Sequence, residues 1–163
     1  PGTGIILNNR LTGFSLDPAS PNIIEPGKRP AHTLNAFTAV NPDGTLHLVG
    51  GTPGANIQVQ TNLQLIINVV DLKMNVQEAT EAPRWQHLNA PGQSSAEETG
   101  SGVLEIEDRV SSQVLDQLRA KGHDVKPLAA WGHGSSVQLM QVLHNKTYAF
   151  GSDPRCEGHA SGI

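Results

Sequence analysis

Apolar residues cluster in short runs along this chain, separated by polar stretches rich in glycine and proline. Gly4-Ile5-Ile6-Leu7-Asn8 is a compact apolar run and predicts a short buried strand. A polar loop follows from about Thr12 to Arg29. Ala36 to Val40 and Thr45 to Val49 flank Asn41-Pro42-Asp43-Gly44, a strong turn sequence, and predict a hairpin. From about Asn56 to Leu72, residues Ile57, Leu63, Ile66, Ile67 and Val70 recur mainly at three- and four-residue spacing, which predicts a helix. Val59, Leu65 and Val69 widen its apolar face, so protein is expected to cover it on most sides. Asn75 and Glu78 have capping-box spacing and open a second, short helix, which stops at Ala82 because Pro83 disfavours helical geometry in the residue before it.

Gly92 to Gly102 is a polar, acidic loop. Val103-Leu104-Glu105-Ile106-Glu107 alternates as a strand does, and Val110 to Ala120 is a helix ended by Gly122. Val137 to Leu143 and Thr147 to Phe150 predict a final hairpin across His144-Asn145-Lys146. Strands towards both ends, with two or three helices between them, give an α+β layered domain. The alternation is too irregular for a doubly wound sheet.

Composition narrows the classes. At 163 residues the chain is one domain by size, yet 37% hydrophobic residues is low for a self-contained globule. The formal net charge of −4 is spread over mixed acidic and basic residues, without the basic stripe of a nucleic-acid binder. Three Phe, two Trp and one Tyr are too few for a base-stacking platform. The single Cys156 excludes an internal disulfide and a cysteine-based zinc cluster. No apolar run approaches the roughly 18 residues that span a bilayer, so no membrane segment is expected. The opening Pro1-Gly2-Thr3-Gly4 has neither methionine nor signal peptide, and is expected to begin a processed or truncated piece.

Leu46-His47-Leu48-Val49-Gly50-Gly51-Thr52-Pro53-Gly54-Ala55-Asn56 reads as strand, tight turn, then helix. Taken by itself this is an ordinary strand-to-helix connection in which glycine permits the bend. Pro53 fixing the approach, and a helix starting at Asn56, favour outward-pointing N–H groups at Gly54 and Ala55, a site for an anion or an oxyanion. Gly13-Phe14-Ser15-Leu16-Asp17 lacks the final glycine of a serine-hydrolase elbow. No lysine follows Gly54 as a phosphate loop requires, and no dinucleotide-binding fingerprint is present. His32, His47, His87, His123, His133, His144 and His159 show no metal-ligand spacing and read as solvated or core-satisfied. Glu97 and Glu98 read as part of a solvated loop, and Glu105, Glu107 and Asp108 as an exposed strand face.

Six ordered segments resemble the C-terminal, small-subunit part of the γ-glutamyltransferase family. Gly4 to Asn9 is similar to its G-I-x-L-N-N, Phe14-Ser15 to its F-S, and Pro26 to Pro30 to its P-G-K-R-P. Gly51 to Ala55 is similar to its G-S-P-G-G, Glu81-Ala82-Pro83-Arg84 to its E-A-P-R, and Ser152-Asp153-Pro154-Arg155 to its S-D-P-R. The resemblance implies an N-terminal nucleophile hydrolase with a four-layer αββα sandwich, of which this chain supplies part. It implies a self-cleaved precursor whose exposed threonine attacks an amide carbonyl, using its own α-amine as general base. Gly54 and Ala55 then correspond to the backbone oxyanion hole. The partner implied is the large subunit of the same precursor, and neither a metal nor an organic cofactor is implied.

The resemblance breaks at three places. The family's T-T-H-x-S-like nucleophile run has no counterpart here, so this chain alone is expected to be inactive. Its P-L-S-S-M-S-P run is here Pro30-Ala31-His32-Thr33-Leu34-Asn35-Ala36, which places His32 and Thr33 where the family grips the substrate α-carboxylate. The acidic pair before F-S is here Thr12-Gly13, and Arg10 stands where a residue helps position the substrate ammonium. Arg10, Gly13, His32 and Thr33 are therefore the candidate substrate-binding residues, for a small amide that is not strictly γ-glutamyl. The alternative is a non-catalytic scaffold or binding homologue of the same fold. Lys28, Arg29, Arg84 and Arg155 are expected as structural ion-pair donors, with Arg155 in a tail that could approach the site.

Overall fold

The structure, a computed structural model, describes residues 2–6, 8–88 and 102–161. Its elements, in chain order, are strands β1 (Phe37–Val40) and β2 (Leu46–Gly51), helices α1 (Gln58–Ile66) and α2 (Val76–Glu81), strands β3 (Trp85–His87) and β4 (Val103–Glu107), helix α3 (Ser112–Ala120), and strands β5 (Asp124–Leu128), β6 (Gln138–Val142) and β7 (Tyr148–Ser152). The chain forms two compact units, Pro1–Leu34 and Asn35–Ile163.

The first unit has one turn of 3₁₀ helix, Arg10–Gly13, and a single parallel bridge between Ser15 and Ile23. The strand expected at 4–8 is not formed at its described residues. Ile5 and Ile6 are 71% and 95% exposed, because no neighbouring strand takes their backbone groups, and an apolar run without a ladder partner does not make a strand. Leu7 lies outside the described residues.

The second unit holds two sheets. One is antiparallel throughout, with strand order β1-β2-β6-β7. Its two hairpins are the ones the turn sequences predict, the first with a register shift between Ala39 and Val40. Leu48, Val137 and Leu139 face Leu65, Val69, Val76 and Ala79 of the helical layer, forming the main core. Gly151 permits the close approach of α2 to β7, since a Cβ there would collide with the Val76 carbonyl oxygen. On the opposite face Val40, Tyr148 and Phe150 stay exposed. A cavity of about 460 Å³ lies on that face, lined by Val49, Met140 and Phe150.

The second sheet, in order β3-β4-β5, pairs β4 parallel to β5 through the α3 crossover. Leu104, Ile106 and Val125 form its core, with Leu115 and Leu118 of α3. The helix α3 begins at a Ser111 cap, and Gly122 beyond its end takes a φ of +91°. Neither β3 nor β5 is expected from apolar pattern: one has three residues, and the other contains Lys126 and Pro127. The capping box at Asn75 and Glu78 forms in both directions, and α2 stops where Pro83 requires.

The long helical segment begins with a 3₁₀ turn, Ala55–Ile57, continues as α1 and ends in a π turn, Ile67–Asp71. Its buried side includes amides as well as aliphatics, because it serves the free edge of β3. Gln64 donates to the Trp85 carbonyl at 2.9 Å and accepts the Trp85 N–H at 3.1 Å. One turn earlier Gln60 donates to the His87 carbonyl at 3.0 Å and accepts the His87 N–H at 2.7 Å. Side chains four apart on a helix share a face, so two glutamines replace a missing strand and join the two sheets. Changing Gln64 to Leu leaves both Trp85 backbone groups without partners. A loss of about 1–3 kcal/mol in unfolding free energy is expected from denaturant melts, larger than for Gln113→Leu on the exposed side of α3.

Candidate active site

Between β2 and α1 the chain makes the turn the sequence singles out. Gly54 adopts φ +139°, and a Cβ there would sit 2.7 Å from Ile57 Cγ1, so glycine is required twice over. Ala55 takes φ +47°, a left-handed conformation that costs an L residue roughly 1–2 kcal/mol. The Ile57 N–H closes onto the Gly54 carbonyl at 3.0 Å. The N–H groups of Gly54 and Ala55 have no acceptor among the described residues, and Ala55 is exposed. Two free N–H groups on a constrained turn at the start of a helical segment can receive a developing negative charge.

Arg10, Gly13, His32 and Thr33 all belong to the first unit. Arg10 is half-buried and its Nη1 donates to Thr33 Oγ1 at 3.3 Å. Asn22 ties the two segments together, donating to the Gly13 carbonyl and accepting the Ala31 N–H at 3.0 Å. Arg10 and Thr33 are thus brought into contact, with Gly13 and Ala31 held by one side chain. His32 is exposed beside them. Of the expected ion-pair donors here, Lys28 pairs with Glu25 at 3.3 Å, while Arg29 has no ion pair among the described residues.

The two proline-arginine segments converge in the second unit. Arg84 follows α2 and Asp153 and Arg155 follow β7, and they gather around Glu107 at the end of β4. Arg155 donates Nε to Glu107 Oε1 at 2.7 Å and Nη2 to Oε2 at 2.6 Å, a two-pronged pair. Its Nη1 reaches Asp153 Oδ1 at 2.9 Å, and Arg84 Nη1 reaches Asp153 Oδ2. Arg109 adds a third guanidinium, to Glu107 at 2.7 Å, and lies over the Trp131 ring at 3.6 Å. Remaining donors go to carbonyls: Arg84 to Thr80, and Arg155 to Thr80 and Ala82.

The expectation that Glu105 and Glu107 line an exposed strand face is therefore corrected. Glu107 is 0% exposed, and Glu105 is buried between Lys126 and Gln86. Alternation along β4 implies one wet face, but a partner 48 residues away covers it. Burial alone raises the Glu107 carboxyl, yet hydrogen bonds from Arg155 and Arg109 outweigh it and hold the group below its ordinary value. The Asp153 carboxyl is held low against the same burial penalty, by the Val137 N–H and Arg84. Arg84 and Arg155 are the ion-pair donors expected; Glu97 and Glu98 lie outside the described residues.

His133, beside this cluster, is 3% exposed. Its Nδ1 accepts the Ser135 N–H at 3.2 Å and lies 2.7 Å from Ser135 Oγ, which itself accepts from Arg84. A nitrogen that accepts an N–H is unprotonated, so the proton sits on Nε2, which has no partner among the described residues. Burial, then repulsion from Arg84, pushes the imidazole down to about 4. Sequence spacing does not reveal this histidine. The repeated x-Pro-Arg segments are the one sign of the network that the sequence carries. Among the described residues no three His, Cys, Asp or Glu side chains form a metal site, and no helix is long and apolar enough to cross a membrane.

A family model described as Gamma-glutamyltranspeptidase matches residues 1–163. The oxamate amidohydrolase proenzyme of Klebsiella pneumoniae is 36% identical over 167 residues, covering 99% of this chain and 30% of that protein. The glutathione hydrolase proenzyme of Escherichia coli is 34% identical over 163 residues, covering 94% of this chain and 26% of that protein. Among solved structures, an acivicin-inhibited gamma-glutamyltranspeptidase superposes with a TM-score of 0.76 at 30% identity, covering 96% of this chain and 84% of that one. This chain thus spans 26% to 30% of the length of these curated relatives.

Glu107→Gln removes the charge that two guanidiniums share, and should cost about 3–5 kcal/mol by chemical denaturation. His133 gives a separate acid signature. Its folded pKa lies below the unfolded value of about 6.5, so the unfolded chain binds the extra proton between these two values. Stability is full above about pH 6.5 and falls as pH drops towards 4, by on the order of 3 kcal/mol. In melts across this window, His133→Gln should flatten the decline relative to the unsubstituted protein.

Proposed function

Since this chain belongs to the gamma-glutamyltranspeptidase family, we propose that it is the C-terminal scaffold and oxyanion-binding part of an amide hydrolase or acyltransferase made as a proenzyme. Its mixed helix-and-sheet fold is that of the N-terminal nucleophile hydrolases, and its relatives are hydrolases of that type. The observation that carries the reading is the Gly54–Ala55 turn, with two uncommitted N–H groups in a conformation held by glycine and by strain.

The nucleophile is a threonine exposed by self-cleavage on a segment preceding Gly4. Its α-amine takes the hydroxyl proton as the oxygen attacks the amide carbon. The carbonyl oxygen gains negative charge and is received by the N–H groups of Gly54 and Ala55. The amine leaves with a proton, and water or an acceptor amine resolves the acyl-enzyme. The large subunit covers the exposed sheet face around Val40, Tyr148 and Phe150, completing the four layers.

The acyl group is not strictly γ-glutamyl. Arg10 presents a cation where the family handles an ammonium, and Gly13 carries no carboxylate. Placing like charges together with no acidic partner costs several kcal/mol of recognition. The name of the Klebsiella relative, an amidohydrolase, supports the same direction.

Expression of the complete reading frame, followed by intact-mass and N-terminal analysis, tests the chemistry. Two chains are expected, the smaller beginning with threonine; a single uncut chain overturns the reading in favour of a non-catalytic scaffold. In assays, γ-glutamyl-p-nitroanilide should turn over no better than simple amides. A strong γ-glutamyl preference would sink the substrate proposal.

A further inference from the structure

We propose that Thr52 is a positioning residue whose hydroxyl keeps the Gly54 and Ala55 N–H groups free. The inference rests on the oxyanion role of that turn and deepens it. Thr52 is 8% exposed, at the end of β2, and its side chain does not face solvent. Its hydroxyl donates to the Pro53 carbonyl at 2.7 Å and accepts the Ser136 N–H at 3.0 Å. One proton and one lone pair of the hydroxyl are thus used in two directions.

The first bond matters because of what the Pro53 carbonyl would otherwise do. A 3₁₀ turn already begins one residue on, where Ile57 N–H meets the Gly54 carbonyl. A Pro53 carbonyl without a partner competes for the next amide in the same pattern, that of Asn56, and the turn winds back by one residue. The peptides of Gly54 and Ala55 rotate with it, and Ala55 relaxes from its strained φ of +47°. The hydroxyl removes the acceptor that would drive this change.

The second bond anchors the hydroxyl to a segment that does not slide. Ser135 is held through its Oγ by Arg84 at 2.8 Å, and the Val137 N–H donates to Asp153 Oδ2 at 2.8 Å. Ser136, between them, offers its N–H to Thr52. The buried ion-pair network therefore reaches the turn through three consecutive residues and one hydroxyl. Serine at position 52 preserves both bonds, while valine, of the same shape, leaves the Pro53 carbonyl and the Ser136 N–H without partners.

The test uses the complete, processed enzyme and a chromogenic amide that it cleaves, with kcat, KM and melting temperature measured for Thr52→Val and Thr52→Ser. In Thr52→Val, kcat should fall roughly 10- to 100-fold, short of the 10²–10³ that follows outright loss of an oxyanion donor, with KM within about threefold. An alkyl boronic acid that forms a tetrahedral adduct should weaken in parallel with kcat/KM. Thr52→Ser should recover most of the rate. Wild-type kcat in Thr52→Val overturns the proposal, as does a loss confined to KM or to melting temperature. If Thr52→Val does not fold, Thr52→Cys keeps the volume with weaker hydrogen bonding and should show the same fall in kcat. If the unsubstituted enzyme cleaves no amide, the oxyanion reading itself fails and this inference falls with it.

Discussion

Two guanidiniums and two carboxylates, buried together where the two sheets of the second unit meet with the half-buried Arg109 at their edge, set the constraint on which the remaining geometry depends. Arg84, Glu107 and the Asp153–Arg155 pair come from three separate stretches of the chain, and none can shift without leaving a charge unpaired in a low-dielectric setting. Such a cluster is a poor source of net stability compared with well-packed hydrocarbon, but an effective device for specificity, since only one arrangement satisfies every donor. The count also explains His133. The cluster already carries an excess cation, so a further proton on a buried imidazole is disfavoured both by burial and by Arg84.

That constraint decides what is legible in the sequence. Turn chemistry and caps are local, so the two hairpins of the first sheet and both ends of α2 follow directly from Asn41-Pro42-Asp43-Gly44, His144-Asn145-Lys146, Asn75, Glu78 and Pro83. Pairings made at long range leave no such mark. Strand β5 contains Lys126 and Pro127 and is held by its parallel neighbour, not by its own pattern. Alternation assigns Glu107 to the face opposite Ile106, which reads as wet, and only the arrival of Arg155 makes that face an interior. The opposite mismatch occurs at Ile5 and Ile6, where apolar side chains suggest a strand that no ladder supports.

The glutamines of α1 illustrate a third class of signal, visible in the sequence but ambiguous there. A helix with polar residues on its inner side looks poorly amphipathic, and its apolar spacing suggests cover on most sides, whereas Val59, Leu63 and Leu72 are exposed in this chain. Gln60 and Gln64 each donate to and accept from the backbone of one β3 residue, while at Asn35 the task is divided: Gln58 accepts its N–H and Asn62 donates to its carbonyl. A primary amide matches the donor and acceptor geometry of a peptide group, which satisfies Gln60 and Gln64 at β3, whereas Asn62 keeps an Oδ1 without a partner among the described residues.

On the function proposed for this chain, chemistry and recognition fall to different parts of the sequence. The Gly54–Ala55 turn is held within the second unit, by Thr52, the 135–137 segment and the ion-pair network behind it. The residues that depart from the family's substrate pattern, Arg10, Gly13, His32 and Thr33, sit in the first unit, where Asn22 and the Arg10–Thr33 bond tie their segments together. Among the described residues, no hydrogen bond that shapes the Gly54–Ala55 turn comes from Arg10, Gly13, His32 or Thr33. On the proposed reading the two parts can vary independently, in a chain that preserves the P-G turn and both proline-arginine segments yet has Thr12-Gly13 in place of the family's acidic pair, with Arg10 just before it.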